Sequence, residues 1–210
     1  MRLRRRQRER GQSLVELCFI IPVCLTLFMG VYTAGVFISD LDVAGQAVRA
    51  GARLGAEVGD CGYSSGNWQC SGTSTTNPSV IDGDIVTSVA TIAKGLQNAS
   101  SLDEIDIYDP CWASGSCSTP NCSDSADIGG TYNAGEPADV YKLVGGVWTL
   151  QSAGSGGHYT LDLRSQAHPS ESAIGVRLVY HFKASAPLSI FNMQTSQYAT
   201  MCFAPYESGG

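Results

Sequence analysis

"GQSLVELCFIIPVCLTLFMGVYTAGVFI", residues 11–38, decides how the rest of the chain is read. From Leu17 to Ile38 it runs for 22 residues without a charge. As a helix rising about 1.5 Å per residue, such a run is about 33 Å long, enough to cross the hydrocarbon core of a bilayer. A cleaved secretory signal has a shorter apolar region, about 7–15 residues, with a small-residue cleavage site behind it. Here the run is longer and helix-like patterning continues past it, so a retained membrane helix is expected. One residue is out of place. Glu16 lies just inside the apolar start at Leu14, where an ionised carboxylate is costly unless it reaches water or a partner.

Charge gives the orientation. The formal net charge of −6 conceals six arginines and one glutamate in residues 1–12, against 17 acidic and 7 basic side chains in residues 40–210. Arginine on one flank and acid on the other follow the positive-inside rule: the N-terminus in the cytoplasm and the C-terminal domain outside. An acidic exported domain lacks the basic footprint of nucleic-acid binding, so no nucleic acid is expected as a partner. The 210 residues leave room for one membrane segment and a domain of about 150 residues.

Eight cysteines divide two and six. Cys18 and Cys24 fall in the apolar run, where thiols act as small hydrophobes. Cys61, Cys70, Cys111, Cys117, Cys122 and Cys202 fall on the exported side, and an even count in an oxidising compartment reads as three disulfides. Many connectivities remain open; Cys61–Cys70 is the most local. No CxxC pair exists and His158, His168 and His181 are dispersed, so neither a metal nor another cofactor is expected.

Beyond the apolar run, Leu41, Ala44, Val48, Gly51, Leu54, Gly55 and Val58 continue a stripe at spacings of three and four. A single helix from about Gln12 to Val58 is therefore expected, roughly 70 Å long. Ala47, Gly51, Gly55 and Gly59 recur every fourth residue, a small-residue row that admits another backbone closely. It suits either the chain's own domain or a neighbouring subunit. Residues 60–77, "DCGYSSGNWQCSGTSTTN", read as a polar loop stapled by its two cysteines. Asn77 and Pro78 then signal a helix start. Ile81, Ile85, Val89, Ile92 and Leu96 put one apolar face on a second helix over about 78–97, to be packed on a sheet. Strands are expected at 104–108, on both sides of a Gly145-Gly146 turn, at 158–164, from Ile174 to Phe182, and from about Gln194 to Phe203. The fold class is α+β: a long N-terminal transmembrane helix extending outside, a second amphipathic helix on an antiparallel sheet, and disulfide-rich loops.

Counting from Gly11 gives Glu16 a meaning. A cut after Gly11 makes Gln12 the first residue and Glu16 the fifth. A short basic leader, a glycine before the cut and a glutamate at the fifth mature position resemble the type IV prepilin signal. "GQSLVELCFIIPVCLTLFMGVYTAGVFI" followed by "AVRAGARLGA" (47–56) closely resembles the start of TadE-like proteins, minor pilins or pseudopilins of bacterial Flp/Tad pilus systems. The matching elements are Gly11, Leu14-Val15-Glu16, Pro22 and Ala50-Gly51-Ala52-Arg53, within a block over residues 11–56. "VRLVYHFKASAPLSIF" (176–191) and "TSQYATMCF" (195–203) are similar in style to the end of such proteins, a looser match. Leu17 departs from the pattern, since the processed members typically have tyrosine there.

The resemblance implies a leader at 1–11, a transmembrane and extended helix at 12–59, and an extracytoplasmic α+β domain at 60–210. It implies cleavage between Gly11 and Gln12 by a prepilin peptidase. It also implies an assembly role for Glu16, whose carboxylate would pair with the free amine of a neighbouring subunit. The implied partners are other pilin-like subunits, the pilus assembly platform and the lipid bilayer. Enzyme signatures are not found: no G-x-S-x-G elbow, P-loop or G-x-G-x-x-G after a strand appears. The alternative is an unprocessed, membrane-anchored protein whose exported domain binds an envelope component.

Overall fold

The computed structural model describes residues 3–59, 61–64, 67–70, 79–97, 99–110, 137–153, 157–159, 164, 173–184 and 192–202. The first helix, α1 (Leu3–Val58), is continuous over 56 residues, about 84 Å at 1.5 Å per residue. It begins nine residues earlier than the expected start near Gln12, because the arginine-rich leader consists mostly of good helix formers. Pro22 lies inside it. Gly59, with φ of 58°, ends the helix in the left-handed conformation that glycine adopts without strain.

Two short strands follow, β1 (Cys61–Ser64) and β2 (Asn67–Cys70), paired antiparallel with Cys61 opposite Cys70 and Tyr63 opposite Trp68. The sequence reading made this stretch a loop. Its serines, glycines and asparagine masked the cross-strand pairing that an aromatic pair favours. The second helix, α2 (Ser79–Ala93), is shorter than the 78–97 expected, and Gly95 and Leu96 continue it only in single turn-like bonds to Ile92 and Ala93.

Five strands form the main sheet: β3 (Ala99–Tyr108), β4 (Ala138–Val144), β5 (Val147–Ala153), β6 (Ala173–Lys183) and β7 (Asn192–Cys202). Their order is β5-β4-β3-β6-β7 and every pairing is antiparallel. Gly145 and Gly146, both at positive φ, make the two-residue turn between β4 and β5. Of the strand expected at 158–164, His158, Tyr159 and Arg164 are described and none is in a strand; the remainder lies outside the described residues.

Alternation decides which face is which. Ile105 and Ile107 of β3, Tyr141 of β4, and Ile174, Val176, Leu178, Tyr180 and Phe182 of β6 join one core with α1 and α2. The two helices lie on that face of the sheet, α1 over β6 and β7. The small-residue row serves this packing. A Cβ on Gly51 would stand 2.5 Å from Val89 and one on Gly55 2.4 Å from Ile174, so the row is filled by α2 and β6 of the same chain. On the opposite face Tyr108 lies across Gly175, where a Cβ would meet its ring at 2.4 Å.

Direction along α1 follows from three contacts. Gly55 meets Ile174, Phe37 packs edge-on against Phe182 with centroids 5.0 Å apart, and Asp40 Oδ1 accepts a hydrogen bond from the Gln97 N–H at 2.8 Å. β6 and α2 therefore both run antiparallel to α1. The end of the domain nearest the apolar run carries Phe182, Gln97 and the start of β3.

Candidate functional site

The feature that sets this molecule apart is the bare stretch of α1. From Leu14 to Tyr32 thirteen large apolar side chains stand exposed, among them Phe19 at 75%, Phe28 at 73% and Val31 at 74%. They point in every direction around the helix, so no single face is left for another element of the chain. Soluble proteins rarely expose a contiguous apolar surface of this size. The helix holds a segment long and apolar enough to cross a membrane, and none of that segment is buried by the chain itself. Thr26 donates its hydroxyl to the Val23 carbonyl at 2.8 Å, so its polar group is satisfied within the helix. Cys18 and Cys24 are exposed free thiols on this stretch.

Burial begins abruptly at Val36, at 8% exposure, and at Asp40, at 0%. Asp40 is the first charge after Glu16, and its bond to Gln97 ties the emerging helix to the end of α2. Ala44, Ala47, Val48, Ala52 and Ala56 are all within the core, while Arg53 and Glu57 pair at 2.8 Å on the solvent side.

The positions singled out in the sequence separate accordingly. Gly11, Gln12 and Glu16 lie on α1, Glu16 exposed at the near end of the bare stretch. Cys61 and Cys70 face each other across β1 and β2. Cys202 closes β7, opposite Ala173, and Cys111, Cys117 and Cys122 lie outside the described residues.

The domain also contains two buried ionic clusters that the sequence reading missed. Arg164, fully buried, donates from Nη1 to Asp82 Oδ1 at 2.6 Å and from Nη2 to the Tyr159 carbonyl at 2.8 Å. Its guanidinium sits 4.5 Å from the centre of the Tyr159 ring, and Asp139 approaches Nη2 at 3.8 Å. Burial pushes the Asp82 carboxyl up to about 6, with Asp139 adding to the rise and Arg164 opposing it. Burial also raises the Tyr141 and Tyr159 hydroxyls well above their ordinary value. Asp139 pairs with the half-exposed His158 through Nδ1. Asp82 belongs to "DGD" at 82–84, and its carboxylate is thus committed to Arg164 while Asp84 is exposed.

The second cluster lies on the sheet face away from the helices. Arg177 donates to Asp106 at 2.6 Å and to Glu104 at 2.9 Å, and Lys142 bridges Glu104 at 3.0 Å. Burial works to raise the Glu104 carboxyl, but hydrogen bonding and the nearby cations hold it below its usual range. His181 and Asp103 pair beside it at 2.5 Å. A charge inside a strongly alternating strand, as Arg177 is in "IGVRLVY" (174–180), was the available signal for this ladder.

Chemically, both clusters join strands and helix termini rather than present reactive atoms. Asp82, Asp139, Asp103, Glu104 and Asp106 are each paired with a cation or an imidazole. Among the described residues no group of three or more His, Cys, Asp or Glu side chains is placed to hold a metal ion. The chain matches no family model, no curated protein and no solved structure with which it was compared.

Proposed function

We propose that this chain is a TadE-like, pilin-like structural subunit of a Flp/Tad-type pilus assembly, anchored by α1 with its α+β domain outside the cytoplasmic membrane. The observation that carries the reading is the bare stretch of α1 led by Glu16. A helix that is apolar on all sides needs lipid or other helices around it, and a carboxylate at its head needs a cation.

Cleavage between Gly11 and Gln12 would supply that cation as a new amine, four residues from Glu16 and about 6 Å along the helix axis. An amine of one subunit facing Glu16 of the next offsets the cost of burying the carboxylate. Gly11 suits the cut in a second way. The helix runs straight through it, and glycine lowers helix stability by about 0.5–1 kcal/mol relative to alanine, easing the local unwinding a peptidase requires. In the exported domain the six cysteines would form three disulfides. The register supports Cys61–Cys70, because directly opposed positions of an antiparallel pair have Cα atoms about 4.5–5.5 Å apart, within reach of a disulfide.

The N-terminus of the chain recovered from its native host tests the proposal. Intact mass and N-terminal sequencing are expected to place it at Gln12, and Gly11→Ala is expected to leave a larger, uncut species. A native chain that starts at Met1 would favour the unprocessed, membrane-anchored binding protein instead.

A further inference from the structure

The β4–β5 hairpin ends in a small apolar tip for which the anchor reading alone has no use. Leu143, Val144 and Val147 are exposed at 44%, 54% and 63%, and the turn between them is Gly145-Gly146, with no side chains at all. Trp148 is half-buried beside them, packed against the core. An isolated exposed leucine needs no account. Three large apolar side chains at the end of one hairpin, in an acidic domain, do.

The pairing register fixes where this tip stands. Phe182 packs on Phe37, one residue before the uncharged run of α1 ends at Ile38. Glu104 of β3 is opposite Val179 on one side and Lys142 on the other. From Val179 to Phe182 is three residues toward the apolar run, and from Lys142 to Gly145 is three residues in the same direction. At about 3.4 Å per residue both steps cover about 10 Å, so the turn is level with Phe182 and hence with the outer end of the apolar helix. Sideways, β4 is two strands from β6, which α1 covers, so the tip stands about 10 Å to one side of the helix.

Lysines gather toward the same end, Lys183 level with the turn and Lys142 about 10 Å behind it. The chain has only three lysines, Lys94, Lys142 and Lys183. Lys94 is exposed at the end of α2 beside Gly95, whose Cβ position abuts Val43; Lys183 is exposed next to Phe182; Lys142 is half-exposed two residues before Val144 and shares its charge with Glu104. All three lie in the half of the domain toward the apolar run, where Asp40, Asp42 and Asp103 stand as well, in a domain of net acidic charge. Apolar tips flanked by half-buried tryptophan and by lysine are the composition of a bilayer interface, where the apolar part enters the acyl boundary and the ammonium groups remain among the headgroups.

We propose that the hairpin tip Leu143–Trp148 is a second membrane contact, resting in the lipid interface of the leaflet on the domain's side. This rests on the reading of α1 as a membrane anchor. A helix alone leaves the domain free to rock and turn about one axis. Two contacts about 10 Å apart fix both, so that the sheet and the exported surface face one direction relative to the bilayer.

Photolabelling of the unmutated chain tests this. The full-length protein is reconstituted into vesicles of phosphatidylcholine and phosphatidylglycerol that include a phospholipid with a diazirine near the headgroup end of its acyl chain. After illumination, mass spectrometry locates the adducts. Label is expected within residues 17–38 and within 143–148, and not within 149–153 or α2. Val144→Ser combined with Val147→Ser is expected to abolish the hairpin label and leave the helix label unchanged. Label on the helix with none on 143–148 would overturn the proposal while the anchor stands. Label spread over 149–153 and α2 as well would overturn it too, since the domain would then lie on the bilayer without a defined foot. Absence of label from 17–38 would remove the anchor itself.

Discussion

Two halves of one helix behave oppositely. Residues 14–35 of α1 are exposed almost throughout, whereas residues 36–59 form the spine of the core. Both halves are rich in apolar residues, so hydrophobicity alone does not separate them. Side-chain volume and its arrangement do. The first half places Leu, Phe, Ile and Val on every side, which keeps other backbones at a distance and offers no preferred face. In the second half Ala44, Ala47, Gly51, Ala52, Gly55 and Ala56 form one thin stripe against which α2 and β6 close, with Arg49, Arg53 and Glu57 turned to water. Within one continuous helix, large residues all round specify a solvent of lipid or other helices, and a small-residue stripe specifies a partner within the fold.

The contrast is broken most severely by adding volume. Gly55→Leu would drive a side chain into Ile174 and Ile85 and is expected to cost about 3 kcal/mol of domain stability. Gly35→Leu meets nothing within 4 Å and should leave the domain's melting temperature unchanged. Thermal unfolding of the full chain in detergent compares the two directly; equal losses would mean that the halves are not distinct. A smaller effect is expected at the boundary. Asp40→Ala removes the acceptor of the part-buried Gln97 N–H and should cost about 1 kcal/mol, while Glu16→Ala should not alter unfolding at all.

The Asp82–Arg164 cluster adds an effect that depends on pH. Burial lifts the Asp82 carboxyl to about 6, above its unfolded value near 4, so between those values the folded chain binds more protons than the unfolded one. The contribution of this group is therefore present in acid and lost as pH rises through about 6. Melting temperature measured over that interval should fall with rising pH, and Asp82→Asn should flatten this component of the slope. A slope of the same size in Asp82→Asn would assign it to other groups.

Much of the fold was legible where one physical rule governed many residues. The uncharged run gave the bare half of α1, strict alternation gave β6, and Gly145-Gly146 gave the hairpin. The small-residue row was read as open between the chain's own domain and a neighbour, because spacing describes a surface and not its occupant. β1 and β2 were missed because their polar composition outweighed a single aromatic pair. The buried charges were missed for a different reason. Arg164 lies 82 positions from Asp82, and Arg177 lies 71 from Asp106, so their pairing depends on the finished topology. Of the candidate assembly site, the glycine, the glutamate and the apolar run were all visible in sequence. That none of the described residues covers the run became visible only in the fold.

Under the proposed function, Glu16 and the bare half of α1 exist for other subunits. Assembly of the Glu16→Ala chain in the native host, measured alongside its membrane level and its N-terminus, tests this most directly. The proposed function predicts a chain present in the membrane at normal level and largely cut to Gln12, with pilus assembly impaired. Normal piliation by that variant would contradict it.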